Sequence, residues 1–145
     1  LLISARNVDR LGQAADKLRS QGITVDTIGC DVRDAEQVAA MVRQGVERCG
    51  HIDGLINNAA GNFLCPSEDL TPGGFDAVVK IVLYGTVNCT LAVGRHLIER
   101  GAPGSILSIL TPYAWTGSPF VLPSACAKSG VMTMTRSLAI EWGIY

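Results

Sequence analysis

The sequence has few residues that bind metals and no block of like charge. Its two histidines, His51 and His96, are far apart and have no partners at ligand spacing, so we expect no zinc site and interpret each as a surface or helix-end residue. The 12 basic and 13 acidic residues are spread along the chain and leave a net charge of −1. This balance argues against nucleic acid as a partner.

Long apolar runs and cysteine pairs are also missing. No run approaches the roughly 20 apolar residues of a membrane helix, and the first residues lack a basic lead-in and a cleavage site, so we expect no membrane insertion and no signal peptide. The five cysteines are odd in number, widely spaced and without a CxxC pair. They indicate free thiols in a reducing compartment, namely the cytoplasm or an organelle matrix.

What the sequence does have is an ordinary globular composition, with 48% hydrophobic and 17% charged residues over 145 positions. Apolar runs alternate with segments of helical period. They predict strands at 1–4, 25–29, 54–57 and 105–110, and helices at 8–22, 34–50, 72–100 and 123–142. Asp34 is the predicted cap of the second helix, and Tyr113 falls in the loop predicted before the last helix. Such alternation is typical of an α/β fold with a doubly wound parallel sheet, that is, a Rossmann-like domain.

Two further features of the pattern concern the ends of the chain and its longest helix. The chain begins inside a predicted strand and stops just after a predicted helix, so we interpret residues 1–145 as a partial domain truncated at both ends. The helix predicted at 72–100 is apolar on more than one face. We therefore expect it to be buried on both sides, by its own sheet and by another subunit.

Polar or small residues follow each predicted strand. These stretches are residues 5–7, 30–32, 57–62 and 110–113. Ligands of an open parallel sheet bind beyond the carboxyl ends of its strands, so all four stretches are expected along one rim.

Two charged residues on this rim have more than one interpretation. Arg6 suits the 2′-phosphate of a dinucleotide, although a solvated arginine after a strand is an equally good reading. Asp31 could accept a hydrogen bond from an adenine amino group, or it could form an Asx turn into the next helix.

The other two groups of rim residues are an amide-rich run and a helix face. The run Asn57-Asn58-Ala59-Ala60-Gly61 lets the backbone come close to a flat ligand, which a simple turn rarely requires. Ser124 and Lys128 share one helix face at a spacing of four residues. A cation near a helix start is mildly unfavourable with the helix dipole, which hints at a function for Lys128; the alternative is a solvated lysine.

These motifs, in this order and at these distances, resemble the short-chain dehydrogenase/reductase family. The family's strand-end N-N-A-G motif matches residues 57–61, its D-V stretch matches Asp31-Val32, and its Tyr-x-x-x-Lys pair falls on Ser124 and Lys128. The resemblance covers the whole chain, which corresponds to the middle of the family fold. The glycine-rich loop after the family's first strand and its C-terminal substrate-binding segment have no counterpart in residues 1–145.

Three departures from the general family pattern are similar to its 2,4-dienoyl-CoA reductase branch. They are the run Asn58–Phe63, the serine at position 124, and Thr111–Trp115 with its tyrosine. The resemblance implies hydride transfer from NADPH to an acyl-CoA thioester, a 2,4-dienoyl-CoA, in the oxidation of unsaturated fatty acids. It also implies a homodimer or homotetramer formed through the helices at 72–100 and 123–142.

The resemblance assigns the site residues as follows. Catalysis falls to Tyr113, Asn62, Ser124 and Lys128. The cofactor would be bound by Arg6, Asp31, Val32, Asn58, Ala59, Ala60 and Lys128, and the substrate by Asn62, Phe63, Tyr113 and Ser124. Around the place where many relatives carry a helix asparagine, this chain has Val82-Leu83-Tyr84-Gly85, which leaves the role of Tyr84 open.

The chemistry fits these residue types. A serine hydroxyl is too weak an acid to protonate the alkoxide formed in ketone reduction, whereas a tyrosine beside a lysine can do so. Reduction of a dienoyl thioester instead needs hydrogen-bond donors aimed at the thioester oxygen, which Tyr113 and Asn62 can supply. Two alternatives remain: another short-chain reductase acting on a 3-oxoacyl or enoyl thioester, and a non-catalytic fragment that forms oligomers.

Overall fold

The computed structural model describes all 145 residues and contains four short strands. They are β1 (Leu2–Ala5), β2 (Asp26–Gly29), β3 (Gly54–Asn57) and β4 (Ser105–Ser108). All pairings are parallel, which confirms the predicted strand direction. The strands form two separate two-stranded sheets, however, β1 with β2 and β3 with β4. The predicted fourth strand is two residues too long, because the chain leaves β3 after the bond from Ile109 N to Asn57 O (3.1 Å).

Six α-helices connect and follow the strands, and polar side chains start several of them. They are α1 (Val8–Ser20), α2 (Ala35–Cys49), α3 (Pro72–Val79), α4 (Gly85–Arg100), α5 (Tyr113–Thr116) and α6 (Leu122–Glu141). The predicted cap Asp34 is confirmed, since its carboxylate accepts hydrogen bonds from Glu36 N and Gln37 N. Thr71 caps α3 in the same way through Gly74 N (3.1 Å).

The helix predicted at 72–100 is continuous but not uniform. A π-helical turn, Lys80–Tyr84, lies between α3 and α4. Apolar periodicity does not reveal it, because the turn is apolar and Val82 within it is fully buried. π-Turns inside α-helices often occur at functional sites.

This long helix is buried by neighbours within its own chain. Residues of α2 and α4 form the main core with β2, and α3 and the π-turn pack on α6 in a second cluster. Val38 and Val93 belong to the first cluster, and Val82 and Ala127 to the second. By length and composition alone, Pro72–Arg100 could cross a membrane, but the core helix of a soluble protein passes the same test. α2 and α6 thus cover two sides of the long helix within the same chain, and its contact with another subunit stays a prediction.

Candidate active site

Tyr113 and Ser124 are in direct contact. The Tyr113 Oη and Ser124 Oγ atoms are 3.0 Å apart, and either hydroxyl can be the donor. Tyr113 was expected in a loop, but it opens the short helix α5. The hydroxyl of Ser129 donates to Ala114 O (2.6 Å) and so fastens α5 to α6. This packing explains how residues eleven positions apart share one hydrogen bond.

Lys128 lies one turn after Ser124 on the inner face of α6. Ser124 is 3% and Lys128 6% exposed, so the reading of Lys128 as a solvated lysine is wrong. Its Nζ donates a hydrogen bond to Ile109 O, just beyond β4, at 2.5 Å. Burial holds the pKa of Lys128 below its usual value, and nearby Tyr113 partly offsets this effect. The ammonium therefore has one fixed partner and further protons to donate.

Most of the predicted cofactor residues line one cavity. A cavity of about 1010 Å³ between the two sheets is lined by residues that include Arg6, Val32, Asn58, Ala59 and Ala60. The guanidinium of Arg6 makes no hydrogen bond or ion pair and is exposed. The two alanines are also exposed, so the backbone beside them is open to a flat ligand. A free cation, an exposed amide and small residues around one cavity fit a phosphorylated dinucleotide.

Asp31 has a different surrounding. Its carboxylate accepts hydrogen bonds from Arg33 Nε (3.0 and 2.9 Å) and from the Arg33 backbone N–H (3.0 Å). The bond from the Arg33 side chain is the main reason that the pKa of Asp31 lies below its usual value. The backbone bond is the Asx turn that the sequence left as an alternative. Asp31 does not line the cavity, so the structure does not bring it together with the other predicted cofactor residues. Its contact with adenine stays a prediction.

The amide-rich run divides into a structural and an exposed part. Asn57 is buried, and its side chain donates to Thr90 Oγ1 (3.0 Å) and Ser108 Oγ (3.3 Å), which ties β3 to α4 and β4. Asn62 and Phe63 are exposed, and Asn62 makes no hydrogen bond to Tyr113 or Ser124. The backbone bond from Cys65 N to Phe120 O (2.9 Å) nevertheless holds the segment after Asn62 against the segment between α5 and α6.

Two residues without an assigned role also belong to this region. The Oγ1 atom of Thr111, two positions before Tyr113, is buried and has no hydrogen-bond partner. A buried hydroxyl without a partner is uncommon in native proteins and calls for an explanation such as an absent ligand. Its only signal in the sequence is its place in the polar stretch after β4. Tyr84, at the end of the π-turn, is more than half exposed and has no hydrogen-bond partner.

Comparison with known proteins identifies the family. The family model described as short chain dehydrogenase matches residues 1–145, that is, the whole chain. The chain therefore belongs to the short chain dehydrogenase family, as its motifs indicated. It spans about half the length of the curated relatives that it matches, 56% in the case of the Bacillus subtilis protein.

Several relatives carry more specific names. A probable 2,4-dienoyl-CoA reductase, described as (2E)-enoyl-CoA-producing, from Bacillus subtilis is 41% identical over 99% of this chain. A peroxisomal 2,4-dienoyl-CoA reductase, described as (3E)-enoyl-CoA-producing, from Danio rerio is 38% identical over 98% of this chain and 47% of its own length.

Solved structures agree on the fold. A short chain dehydrogenase from Bacillus anthracis superposes with a TM-score of 0.92 at 43% identity, over 98% of this chain and 59% of its own. A gluconate 5-dehydrogenase from Burkholderia cenocepacia, crystallised with NADP and tartrate, gives a TM-score of 0.91 at 30% identity, over 98% of this chain and 55% of its own. These similarities confirm the Rossmann-like α/β class.

Proposed function

We propose that the native polypeptide containing residues 1–145 is an NADPH-dependent 2,4-dienoyl-CoA reductase that acts in the oxidation of unsaturated fatty acids. The observation that carries this proposal is the hydrogen bond between Tyr113 and Ser124 above a buried Lys128. The phenol thus lies beside the serine that stands where the Tyr-x-x-x-Lys pattern has its tyrosine. The similarity to two dienoyl-CoA reductases supports the choice of substrate.

Tyr113 is the residue we assign to the substrate side. NADPH, when bound, would supply a hydride to the far end of the conjugated system of the substrate. Negative charge then moves onto the thioester oxygen, where the Tyr113 hydroxyl donates a hydrogen bond. Asn62, whose side chain is exposed, is the second donor in this proposal. A proton delivered to carbon completes the reduction.

Ser124 and Lys128 belong on the cofactor side in this proposal. Ser124 fixes the phenol of Tyr113, and Lys128 donates to the nicotinamide ribose with the protons that Ile109 O leaves free. Arg6 binds the 2′-phosphate because it is cationic, exposed and unpaired. Val32, Asn58, Ala59 and Ala60 line the same cavity. Asp31 does not line this cavity and is proposed to contact the adenine from outside it, and Phe63 is proposed to lie beside the substrate.

The second candidate is another short-chain reductase that acts on a 3-oxoacyl or enoyl thioester. A protein with 30% identity is described as a gluconate 5-dehydrogenase, which supports a substrate other than a dienoyl thioester without favouring a thioester in particular. Residues 1–145 by themselves have one more alternative, a non-catalytic fragment that forms oligomers. The family's glycine-rich loop has no counterpart in these residues, so we expect them to bind NADPH poorly on their own.

The test compares substrates with the native polypeptide. Oxidation of NADPH is followed with a 2,4-dienoyl-CoA, a 3-oxoacyl-CoA and a 2-enoyl-CoA. We expect turnover with the dienoyl thioester only, and analysis of the product will show whether the remaining double bond is at carbon 2 or carbon 3. Rapid reduction of the 3-oxoacyl-CoA without dienoyl turnover would establish the second candidate instead.

Assembly and location are part of the same proposal. We expect a homodimer or homotetramer that uses the helices at 72–100 and 123–142, and a reducing compartment, either the cytoplasm or an organelle matrix. Sedimentation of the native polypeptide as a monomer would contradict the first expectation. Ile140, which is exposed near the end of α6, is a suitable site for a disrupting Ile140→Glu substitution.

A further inference from the structure

The polar side chain of Asn88 reaches from the long helix to the segment that follows β2. Its Nδ2 atom donates a hydrogen bond to the carbonyl oxygen of Val32 (2.9 Å), 56 positions earlier in the chain. Asn88 lies in the first turn of α4 and is half-buried. The bond therefore joins two parts of the chain that are distant in sequence and lie side by side in the fold.

The other hydrogen bonds of this segment are local. The carboxylate of Asp31 accepts from the backbone N–H of Arg33 (3.0 Å), and the backbone N–H of Asp31 donates to Gln37 Oε1 (3.0 Å). These bonds give the turn its shape. The bond from Asn88 is the one hydrogen bond of residues 31–34 that comes from beyond α2, so it sets the position of the turn against the long helix.

Gly85 supports the same contact from the helix side. A methyl group at Gly85 would lie 2.5 Å from Val32 Cγ2 and 3.1 Å from Val32 Cβ, so the valine side chain fits against the helix only because glycine is there. Gly85 and Asn88 are three positions apart and share one face of the helix. Both residue types are poor helix formers, and the contact with Val32 gives a reason for their presence on this face.

Val32 stands at the rim where a ligand would bind. It follows β2, and ligands of an open parallel sheet bind beyond the carboxyl ends of the strands. Its side chain packs on the edge of the main core cluster but is not fully buried, so part of it is open to solvent. Apolar groups that line a ligand site suit a flat ring such as adenine.

We propose that Asn88 is a positioning residue for the adenine half of the cofactor. Its amide, with Gly85 beside it, holds Val32 where the valine side chain covers one face of the adenine. Asn88 thus acts through Val32 and not by a contact with the nucleotide. This role rests on the binding of NADPH by Val32 that is proposed above.

The nicotinamide half depends on other contacts. The residue assigned to it, Lys128, is bonded to Ile109 O and makes no hydrogen bond to Asn88 or Val32. Loss of the Asn88 amide should therefore weaken binding of the adenine half and leave hydride transfer from bound NADPH unchanged. A residue that only stabilises the fold would not separate the two halves in this way.

Calorimetric titration of the native polypeptide tests the adenine half by itself. The probes are NADPH and adenosine 2′,5′-bisphosphate, which has the adenine and the 2′-phosphate but no nicotinamide. In Asn88→Leu, which keeps the bulk of the side chain and removes the donor, both dissociation constants should rise by the same factor, about three- to tenfold, with kcat at saturating NADPH unchanged. Unchanged constants, or a rise for NADPH alone, would overturn the proposal.

Two glycine variants on the same helix separate this role from a general loss of stability. Gly94→Ala places a methyl group against Trp142, far from Val32, and should leave both constants unchanged. A rise in Gly94→Ala equal to that in Asn88→Leu would overturn the proposal. Gly85→Ala displaces Val32 from the other side and should raise both constants, so it supplies the decision if Asn88→Leu does not fold.

A double-mutant cycle shows whether Asn88 acts through Val32. In a Val32→Ala background, Asn88→Leu should add little to the dissociation constant of adenosine 2′,5′-bisphosphate, and a full further rise would refute the positioning role. Failure of the proposed reaction has a different signature. A native polypeptide that binds NADPH but reduces no dienoyl thioester would refute the reaction alone, and the binding constants of the variants would still decide the role of Asn88.

Discussion

The hydroxyl of Tyr113 lies 3.0 Å from that of Ser124, although a short helix and a loop separate the two residues in the chain. This hydrogen bond joins the residue proposed to bind the substrate to the helix that carries Lys128. It orients the phenol without placing it one helical turn before the lysine. The phenol is also close enough to Lys128 to raise the pKa of the ammonium, so Tyr113 lies beside both residues.

Loss of the Ser124 hydroxyl should weaken catalysis without abolishing it. In Ser124→Ala, Tyr113 loses its partner, and a neutral hydrogen bond of about 1 kcal/mol corresponds to a roughly fivefold fall in kcat/KM. Steady-state kinetics of the native polypeptide with a dienoyl-CoA measures this. Ser129→Ala, which removes a hydroxyl on the same helix that bonds Ala114 O, is the matched control for altered packing. A complete loss of turnover in Ser124→Ala alone would mean that serine itself carries the chemistry.

Removal of the Arg6 guanidinium should change the choice of nucleotide. A charged hydrogen bond to the 2′-phosphate is worth about 1.5–3 kcal/mol, so Arg6→Ala should raise the KM for NADPH by about 10- to 100-fold. The KM for NADH should remain nearly constant, because NADH has no 2′-phosphate. Arg10→Ala, an exposed arginine in α1, is the control. Equal effects on both nucleotides would contradict the proposed contact.

The buried ammonium of Lys128 should make stability depend on pH. Its pKa in the folded protein lies below the ordinary value of 10.5, chiefly because of burial. Between the two pKa values the unfolded chain binds more protons, so the folded state gains stability as pH rises through that window.

Lys128→Met should remove this gain. Urea unfolding of both proteins, measured from neutral pH up to 10.5, should therefore show the original protein gaining stability relative to the variant. Lys17→Met, which removes an exposed lysine in α1, is the comparison. A difference between Lys128→Met and the original protein that does not change with pH would argue against the buried ammonium.

Substitution of alanine for two glycines of the long helix should change the stability of the protein differently at the two positions. A methyl group at Gly94 would overlap the indole ring of Trp142, so Gly94→Ala should destabilise the protein by about 1–3 kcal/mol. At Gly73 a methyl group meets nothing within 4 Å, so Gly73→Ala should be neutral or stabilise by about 0.5–1 kcal/mol. Thermal unfolding of the two variants checks both signs, and the absence of destabilisation in Gly94→Ala would indicate that helix packing near Trp142 is loose.

The sequence predicted the fold well because its signals are local. Alternating apolar periods located all four strands and the long helices, and the capping residue Asp34 marked the start of α2 correctly. The π-turn and α5 were missed, because neither changes the apolar pattern. The strands pair in parallel as predicted, but which strand pairs with which has no local signal in the sequence.

The site was predicted only in part, because spacing along the chain is a local signal whereas side-chain contacts are not. The spacing of Ser124 and Lys128 fixed their shared helix face, and the strand-end rule selected Arg6 and Asn58. The ion pair of Asp31 with Arg33 could not be read from spacing, since it depends on a side-chain conformation. The unpaired hydroxyl of Thr111 depends on packing between α5 and its neighbours, which only the structure reveals.

The central claim is that Tyr113 and Asn62 stabilise the negative charge on the thioester oxygen. The most direct measurement is the rate of NADPH oxidation with a 2,4-dienoyl-CoA in the native polypeptide and in its double variant Tyr113→Phe with Asn62→Ala. Removal of one such donor costs about 10²- to 10³-fold in kcat, so the double variant should be inactive, while Tyr145→Phe, at an exposed tyrosine, should keep full activity. Full activity in the double variant would contradict the assignment.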